Sequence, residues 1–223
     1  MDRGRSASEP LGPSSLAWRY FSDGRGMLVG LWAGSTQNMH PGLGAWVEEH
    51  STFFDERWEW LFRSLYPIAG VVYDGSDASR TARAVRDYHL GIKGTDRHGR
   101  PYHALDPDTF FWAHATFVMV PVLVCRHFGR ALTEEQKERL SAESLQWYRL
   151  YGVSDRPAPA DWRGFCAYFD RMCAEVLEST SALPPPRVSP SWPAASPEPS
   201  GRRAPSPRCT SARVESRGLK VEG

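Results

Sequence analysis

Through the middle of the chain, apolar side chains return at intervals of three and four residues. No run alternates with the two-residue period of a half-buried strand. The first such stretch, "GMLVGLWAGSTQNM" from Gly26 to Met39, predicts a buried helix that stops before Pro41, because a residue preceding proline is pushed out of the α region. A second helix is predicted from Trp46 to Phe54, and a third over "RWEWLFRSLYPIAGVVY", interrupted near Pro67. Ser76 is the predicted cap of a helix carrying Ala82, Val85 and His89, with Arg83 and Arg86 on a neighbouring stripe. Asp106-Pro107, a capping residue followed by proline at the first helical position, opens the next helix, which holds His114 and ends near Gly129. In "LTEEQKERLSAESLQWYRLYG", Thr133 and Gln136 form a capping box and Gly152 marks the stop. "DWRGFCAYFDRMCAEVLE" is the last helix, and "GTDRHGRPYHALD" between Gly94 and Asp106 is a turn-rich connection. The pattern predicts an all-α fold of seven or so helices around one core.

Composition sets the limits of that core. Residues 1–14 are rich in Ser, Pro, Gly and charge. From Pro184 onward half of all the prolines accumulate without a sustained apolar period, so both ends are expected to be disordered and the folded domain to span 15–183. Basic and acidic residues number 27 and 26, which gives no argument for nucleic acid or for an anionic membrane surface. The N-terminus lacks the apolar stretch of a secretory signal, and Cys125, Cys166, Cys173 and Cys209 show neither C-x-x-C nor zinc-finger spacing. A reducing, cytoplasmic setting without structural disulfides is the expectation. The longest apolar run, Phe110 to Cys125, is broken by His114 and Pro121 and falls short of the roughly 18 to 20 residues that span a bilayer. It reads as a buried core helix, with peripheral membrane association as the alternative.

Common catalytic signatures are missing: no G-x-S-x-G, Walker loop, dinucleotide fingerprint, H-E-x-x-H or paired E-x-x-H. What remains is a set of histidines at 40, 50, 89, 98, 103, 114 and 127, in a chain with nine tryptophans, ten phenylalanines and eight tyrosines. His114 shares a helical stripe with Phe110, Phe111, Phe117 and Val118. An imidazole wrapped in aromatic surface is either a hydrogen-bonded core residue, a haem or metal ligand, or a residue facing water in a membrane pore. Spacing alone leaves all three open, and favours the first. Arg86 and His89, one turn apart, could present a cation and a base to one pocket or lie on a solvated face. His98, His103 and Asp106 could bind a metal, but their turn-rich setting marks ordinary loop residues.

Four stretches, "MHPGLGAWVEEHS" (39–51), "VRDYHLGIKGTDRHGRPYHALDPDTFFWAHATFV" (85–118), "FGRALTEEQ" (128–136) and "LYGV" (150–153), closely resemble the MpaB-type oxygenases. These are relatives of latex clearing protein and of the fungal oxygenase that shortens a farnesyl side chain. The resemblance implies an all-α haem b protein that uses dioxygen to cleave a carbon-carbon double bond in an apolar, isoprenoid-like substrate. The family's W-x-H corresponds to Trp112-Ala113-His114, making His114 the axial ligand to haem iron, with Phe110, Phe111 and Phe117 lining the cofactor. The distal arginine and basic residue of the rubber-cleaving relatives correspond to Arg86 and His89, with histidine here in place of lysine. His40 and His50 also fall in family motifs and read as structural, satisfying buried backbone or helix ends, with lining of the pocket as the lesser alternative.

Relatives continue past the position of Leu183 with further apolar helices, whereas this chain turns to Pro, Ser and Arg, as an altered or truncated end would. Two other classes therefore stand beside the oxygenase: a haem- or lipid-binding helical protein without turnover, including an inactive family member, and a purely structural helical domain.

Overall fold

In the computed structural model of the chain, residues 9–21, 23–50 and 57–178 are described. Eight α-helices and one two-stranded hairpin make up the described residues: α1 Leu16–Phe21, α2 Gly26–Asn38, α3 Pro41–His50, α4 Arg57–Tyr73, α5 Ala78–Tyr88, β1 Lys93–Thr95, β2 Pro101–His103, α6 Pro107–Phe128, α7 Glu134–Leu150 and α8 Trp162–Arg171. The protein is mainly α-helical, as the periodicity predicts. Of the expected tails, 1–14 and 184–223, residues 1–8 and all of 184–223 lie outside the described residues, as does the predicted helical extension over 51–54.

Helix α6 is the spine. Its N-terminus is built as the sequence indicates: Asp106 accepts hydrogen bonds from the amides of Asp108 and Thr109, and Pro107 takes the first helical position. Pro121 lies within it without ending it. By length and composition it could cross a membrane, since an 18-residue window has mean hydropathy 1.5, yet 78% of that window is buried inside the protein. Helix α2 packs on it most extensively, through Val29 and Ala33 against Val120 and Val124. Gln37 of α2 donates its buried side-chain amide to Ala113 O and Thr116 Oγ1, which fixes the register of the pair. On another side Trp112 meets Phe169 of α8, at 5.0 Å between ring centroids.

Helix α7 starts at the expected capping box, Thr133 with Gln136, and ends before Gly152. It also anchors the N-terminal segment. Glu143, buried, accepts from Ala17 N at the start of α1 and from Arg139 Nε. Arg139 reaches Ser14 O, Gln146 reaches Glu9 O, and Leu11 is buried. Glu9 to Ser14, expected to belong to a disordered tail, is thus held on the domain, because two long polar side chains of α7 accommodate its carbonyls.

Four local expectations need correction. The first helix does stop before Pro41, at Asn38, but the next, predicted to start at Trp46, already opens at Pro41, whose missing amide costs nothing at the first helical position. Pro67 sits inside an unbroken α4. Ser76 lies in a 3₁₀ turn, Gly75–Asp77, and α5 begins after it without a side-chain cap. The turn-rich segment hides an antiparallel hairpin, with Lys93 opposite His103 and Thr95 opposite Pro101. Three-residue strands are too short to show a period. Its loop is an Asx turn in which Asp96 Oδ1 accepts from the amides of His98 and Arg100, with Gly99 at φ 77 completing it. The hairpin lies on α3 so closely that a Cβ on Gly42 would come within 2.9 Å of Tyr102 Cβ. Past α8, Met172–Val176 forms a π-helical turn that carries the chain to Glu178.

Candidate functional site

The side chains of α6 that face α7 form an aromatic cluster around His114. Trp147 and Tyr148 of α7 approach the imidazole at 4.7 and 5.1 Å between centroids, Tyr151 at 6.1 Å and Phe111 at 6.1 Å. Phe110 and Phe111 are buried with it. Phe110 contacts Tyr148 and Tyr151, and Phe111 contacts Tyr148 and Tyr168. Phe117, half-buried, stacks edge-on with Phe21, which also meets Trp147. Of the sequence-predicted residues, then, His114, Phe110 and Phe111 share one cluster, and Phe117 joins through Phe21.

His114 is 3% exposed, and its Nε2 lies 2.9 Å from Ser144 Oγ and 3.1 Å from Ser144 O. Its Nδ1 is buried without a hydrogen-bond partner among the described residues. Burial drives the imidazole pKa down to about 3, against a smaller opposing effect of the Ser144 carbonyl, so the ring is neutral at any physiological pH. The geometry is that of a hydrogen-bonded core histidine at one nitrogen, with the other unpaired among the described residues. The pore reading has no support in a residue this deeply packed.

His89 caps the C-terminus of α5 and lies edge-on to Phe110, at 5.8 Å, which brings it to the margin of the same cluster. Its Nδ1 is 2.7 Å from Val85 O, an acceptor only, so the proton sits on Nδ1 and Nε2 carries the lone pair. Burial lowers its pKa as well. Arg86 is placed differently. Its guanidinium donates through Nε and Nη2 to Asp87 Oδ1, and Nη1 lies 3.2 Å from where a Cβ on Gly152 would stand, over the C-terminal end of α7. The structure therefore brings His89 to the cluster and holds Arg86 beside it, paired with a carboxylate.

The residues present fit an iron porphyrin in their donor chemistry. Two neutral imidazoles each have one ring nitrogen committed to backbone carbonyl or serine, and aromatic rings lie alongside. A histidine that ligates a metal commonly donates its other N–H to a carbonyl in this manner. His114 is further marked by its buried, unpaired Nδ1, which costs about 1 to 3 kcal/mol if nothing ever meets it.

Two cavities lie elsewhere, along the hairpin. One is a groove of about 760 Å³ bordered by His40, Lys93, Tyr102, His103 and Thr109; the other, about 30 Å³, is lined by Asn38, His40, Asp96 and Glu178 among others. The side chain of His40 borders both, with a buried Nδ1 that has no hydrogen-bond partner among the described residues and a pKa pushed by burial down to about 4. The side chain of His50 lies outside the described residues. His98 bonds Glu178, His103 Nδ1 accepts from Leu105 N and Asp106 caps α6, three separate tasks, and no group of metal-binding side chains occurs among the described residues.

The sequence reading missed the contribution of α7. Ser144, Trp147, Tyr148 and Tyr151 follow an i, i+3, i+4, i+7 stripe, the same signal that picked out α6, and pairing the two stripes would have found the cluster.

No curated protein and no solved structure shows significant similarity to the chain. A family comparison does: residues 18–207 match the family described as ER-bound oxygenase mpaB/B'/rubber oxygenase, catalytic domain. The matched span includes every element from α2 to α8, with the aromatic cluster and the hairpin. On that match, across most of its length, the chain belongs to the mpaB/rubber oxygenase catalytic-domain family.

Proposed function

We propose that this member of an oxygenase family is a haem b-dependent enzyme that uses dioxygen to cleave a carbon-carbon double bond in an apolar, isoprenoid-like substrate. The observation that carries the haem reading is the unpaired Nδ1 of His114 in a fully buried aromatic setting. When bound, haem supplies the iron chemistry through which dioxygen is used. His114 would hold it, with Phe110, Phe111 and Phe117 as the apolar surround.

The chain's own contribution is threefold. Phe110, Phe111, Tyr148 and Tyr151 exclude water from the face of α6 that carries His114, which strengthens every electrostatic interaction made there. These rings are in mutual contact, so a flat or chain-like guest reaches His114 only as they part. His89 keeps its proton on Nδ1 against Val85 O and presents Nε2 as a base and donor. Arg86 offers a positive charge to the site when it exchanges Asp87 for a negative group there.

The test is spectroscopic first. Protein reconstituted with haem should show a stoichiometric Soret band that His114→Ala loses while helical circular dichroism is retained. A variant with the parent's haem content would refute the assignment. Oxygen uptake with a polyisoprenoid then separates an enzyme from a haem carrier. His89→Ala and Arg86→Ala should keep the Soret band and lose turnover by on the order of 10²-fold; parent rates would show that these residues take no part in turnover.

A further inference from the structure

We propose that the end of the molecule where α2 begins and α6 finishes docks on an anionic lipid surface. Leu28 and Phe128 enter the headgroup layer, and Arg126 and Arg130 meet the phosphates. Helix α2 carries no charged side chain over its 13 residues, and its polarity is inverted: Thr36, Gln37 and Asn38 are buried, while Leu28 is 65% exposed and Leu31 and Trp32 are half-buried. A surface helix ordinarily turns its charged face to water. Phe128, at the end of α6, is 44% exposed. Arg25 ties the two residues together: its Nη1 donates to Phe128 O at 2.6 Å, and its carbonyl accepts from the amide of Leu28 at 3.1 Å. Trp32 and Leu123, only partly covered, continue the apolar surface along the α2–α6 seam.

Basic side chains ring this apolar end. Arg126, His127 and Arg130 are exposed, and neither arginine has a carboxylate partner among the described residues. Asp23, the acid beside Arg25, is committed to it through both oxygens. Glu134 and Glu135 follow at the start of α7, where Glu134 holds Lys137. Cations at a helix C-terminus complement its dipole, but Arg25 already sits on the final carbonyl of α6, and the other three side chains stay turned to water. The near-equality of 27 basic and 26 acidic residues over the whole chain conceals this local asymmetry. Apolar side chains within a basic rim suit an anionic bilayer, where cations hold the phosphates while hydrocarbon enters the acyl boundary. A second copy would bring the same arginines face to face, which like charge opposes. Helix α6 itself stays in the core, with 78% of its apolar window buried, so the contact lies on the bilayer and does not span it. No haem is needed for it.

The test is sedimentation of the full chain with vesicles of phosphatidylcholine alone or of phosphatidylcholine mixed with phosphatidylserine. The protein should co-sediment with the mixed vesicles only, and added salt should release it. Arg126→Gln and Arg130→Gln should each weaken binding by about 5-fold, and Leu28→Ser combined with Phe128→Ser by about 10-fold or more. All four side chains are exposed, so circular dichroism and the thermal midpoint should stay at parent values. Tyr66→Ser combined with Tyr88→Ser, which removes the exposed rings of α4 and α5, should leave binding unchanged. Sedimentation with neither vesicle, equal binding to both, or the same loss from the α4–α5 variant would overturn the proposal. Self-association that is abolished by Leu28→Ser with Phe128→Ser, in protein that ignores vesicles, would assign the face to a second copy and overturn it equally.

Discussion

Lowering the pH from 7.5 to 5 should destabilise the fold in a way that can be assigned to buried histidine. His114 is neutral in the folded protein down to about pH 3, while in the unfolded chain it titrates near the ordinary histidine value of 6.5. Between those limits the unfolded state binds the extra proton, so stability falls as pH falls, and the loss begins near pH 6.5. At about 1.4 kcal/mol per pH unit, the roughly 1.5 units between 6.5 and pH 5 cost about 2 kcal/mol for His114. His40, depressed by burial to about 4, adds a contribution in the same direction, reduced by its partial exposure. The carboxylates held below their usual range are Asp23, at about 2 by its Arg25 hydrogen bond, Asp96 and Glu178, whose burial is outweighed by hydrogen bonds, and Glu135, also held by hydrogen bonds; they lose most of their stabilisation below about pH 4.5, under this window. Urea unfolding at pH 7.5 and pH 5 reads the effect. His114→Gln cannot titrate, so although less stable at both pH values it should lose about 2 kcal/mol less than the parent on acidification. Equal losses in the two proteins would show that His114 is not held neutral by the fold.

Three structural predictions accompany it. Glu143→Ala leaves the amide of Ala17 and the guanidinium of Arg139 without their buried acceptor and should cost about 2 kcal/mol in urea unfolding, with Glu143→Gln costing less. Asp106→Ala removes the cap of α6 and should cost about 1 kcal/mol, visible as a lower thermal midpoint. Gly42→Val forces a side chain into Tyr102 and should speed amide exchange at Ala104, whose N–H bonds Ile92 O beside the hairpin, while exchange in α6 stays slow.

The helical frame was legible where local chemistry decides it. The Asp106-Pro107 start, the Thr133 capping box and the Gly152 stop use side chains within a few residues of the backbone they serve. What eluded the reading is set by distant partners. Pro67 could be absorbed because packing of α4 outweighs one lost hydrogen bond, and the hairpin exists because α3 offers Gly42 as a seat for Tyr102. The site divides likewise. His114 and its phenylalanines could be placed on one stripe, and Ser144, Trp147 and Tyr148 lie on a stripe of α7 with the same spacing, but which stripe of which helix faces α6 is decided by packing between distant segments. Arg86 reads as available in the sequence only because its neighbour Asp87 was not paired with it.

Glu178 receives Arg97, His98 and Arg100 on one carboxylate, and its own amide bonds Met39 O at the α2–α3 junction. Ala17, at the start of α1, waits for an acceptor 126 residues further on. For a helical protein this is a late-closing chain: as it emerges from the ribosome, its first three helices are made long before the residues that complete their hydrogen bonding exist. The inner apolar face of α2 is open to solvent until α6 has emerged to cover Val29 and Ala33, and the α2–α3 junction lacks its last hydrogen bond until Glu178 follows. A pause placed before α6 should lengthen the exposure and raise chaperone binding, whereas a pause placed well after Glu178 should not.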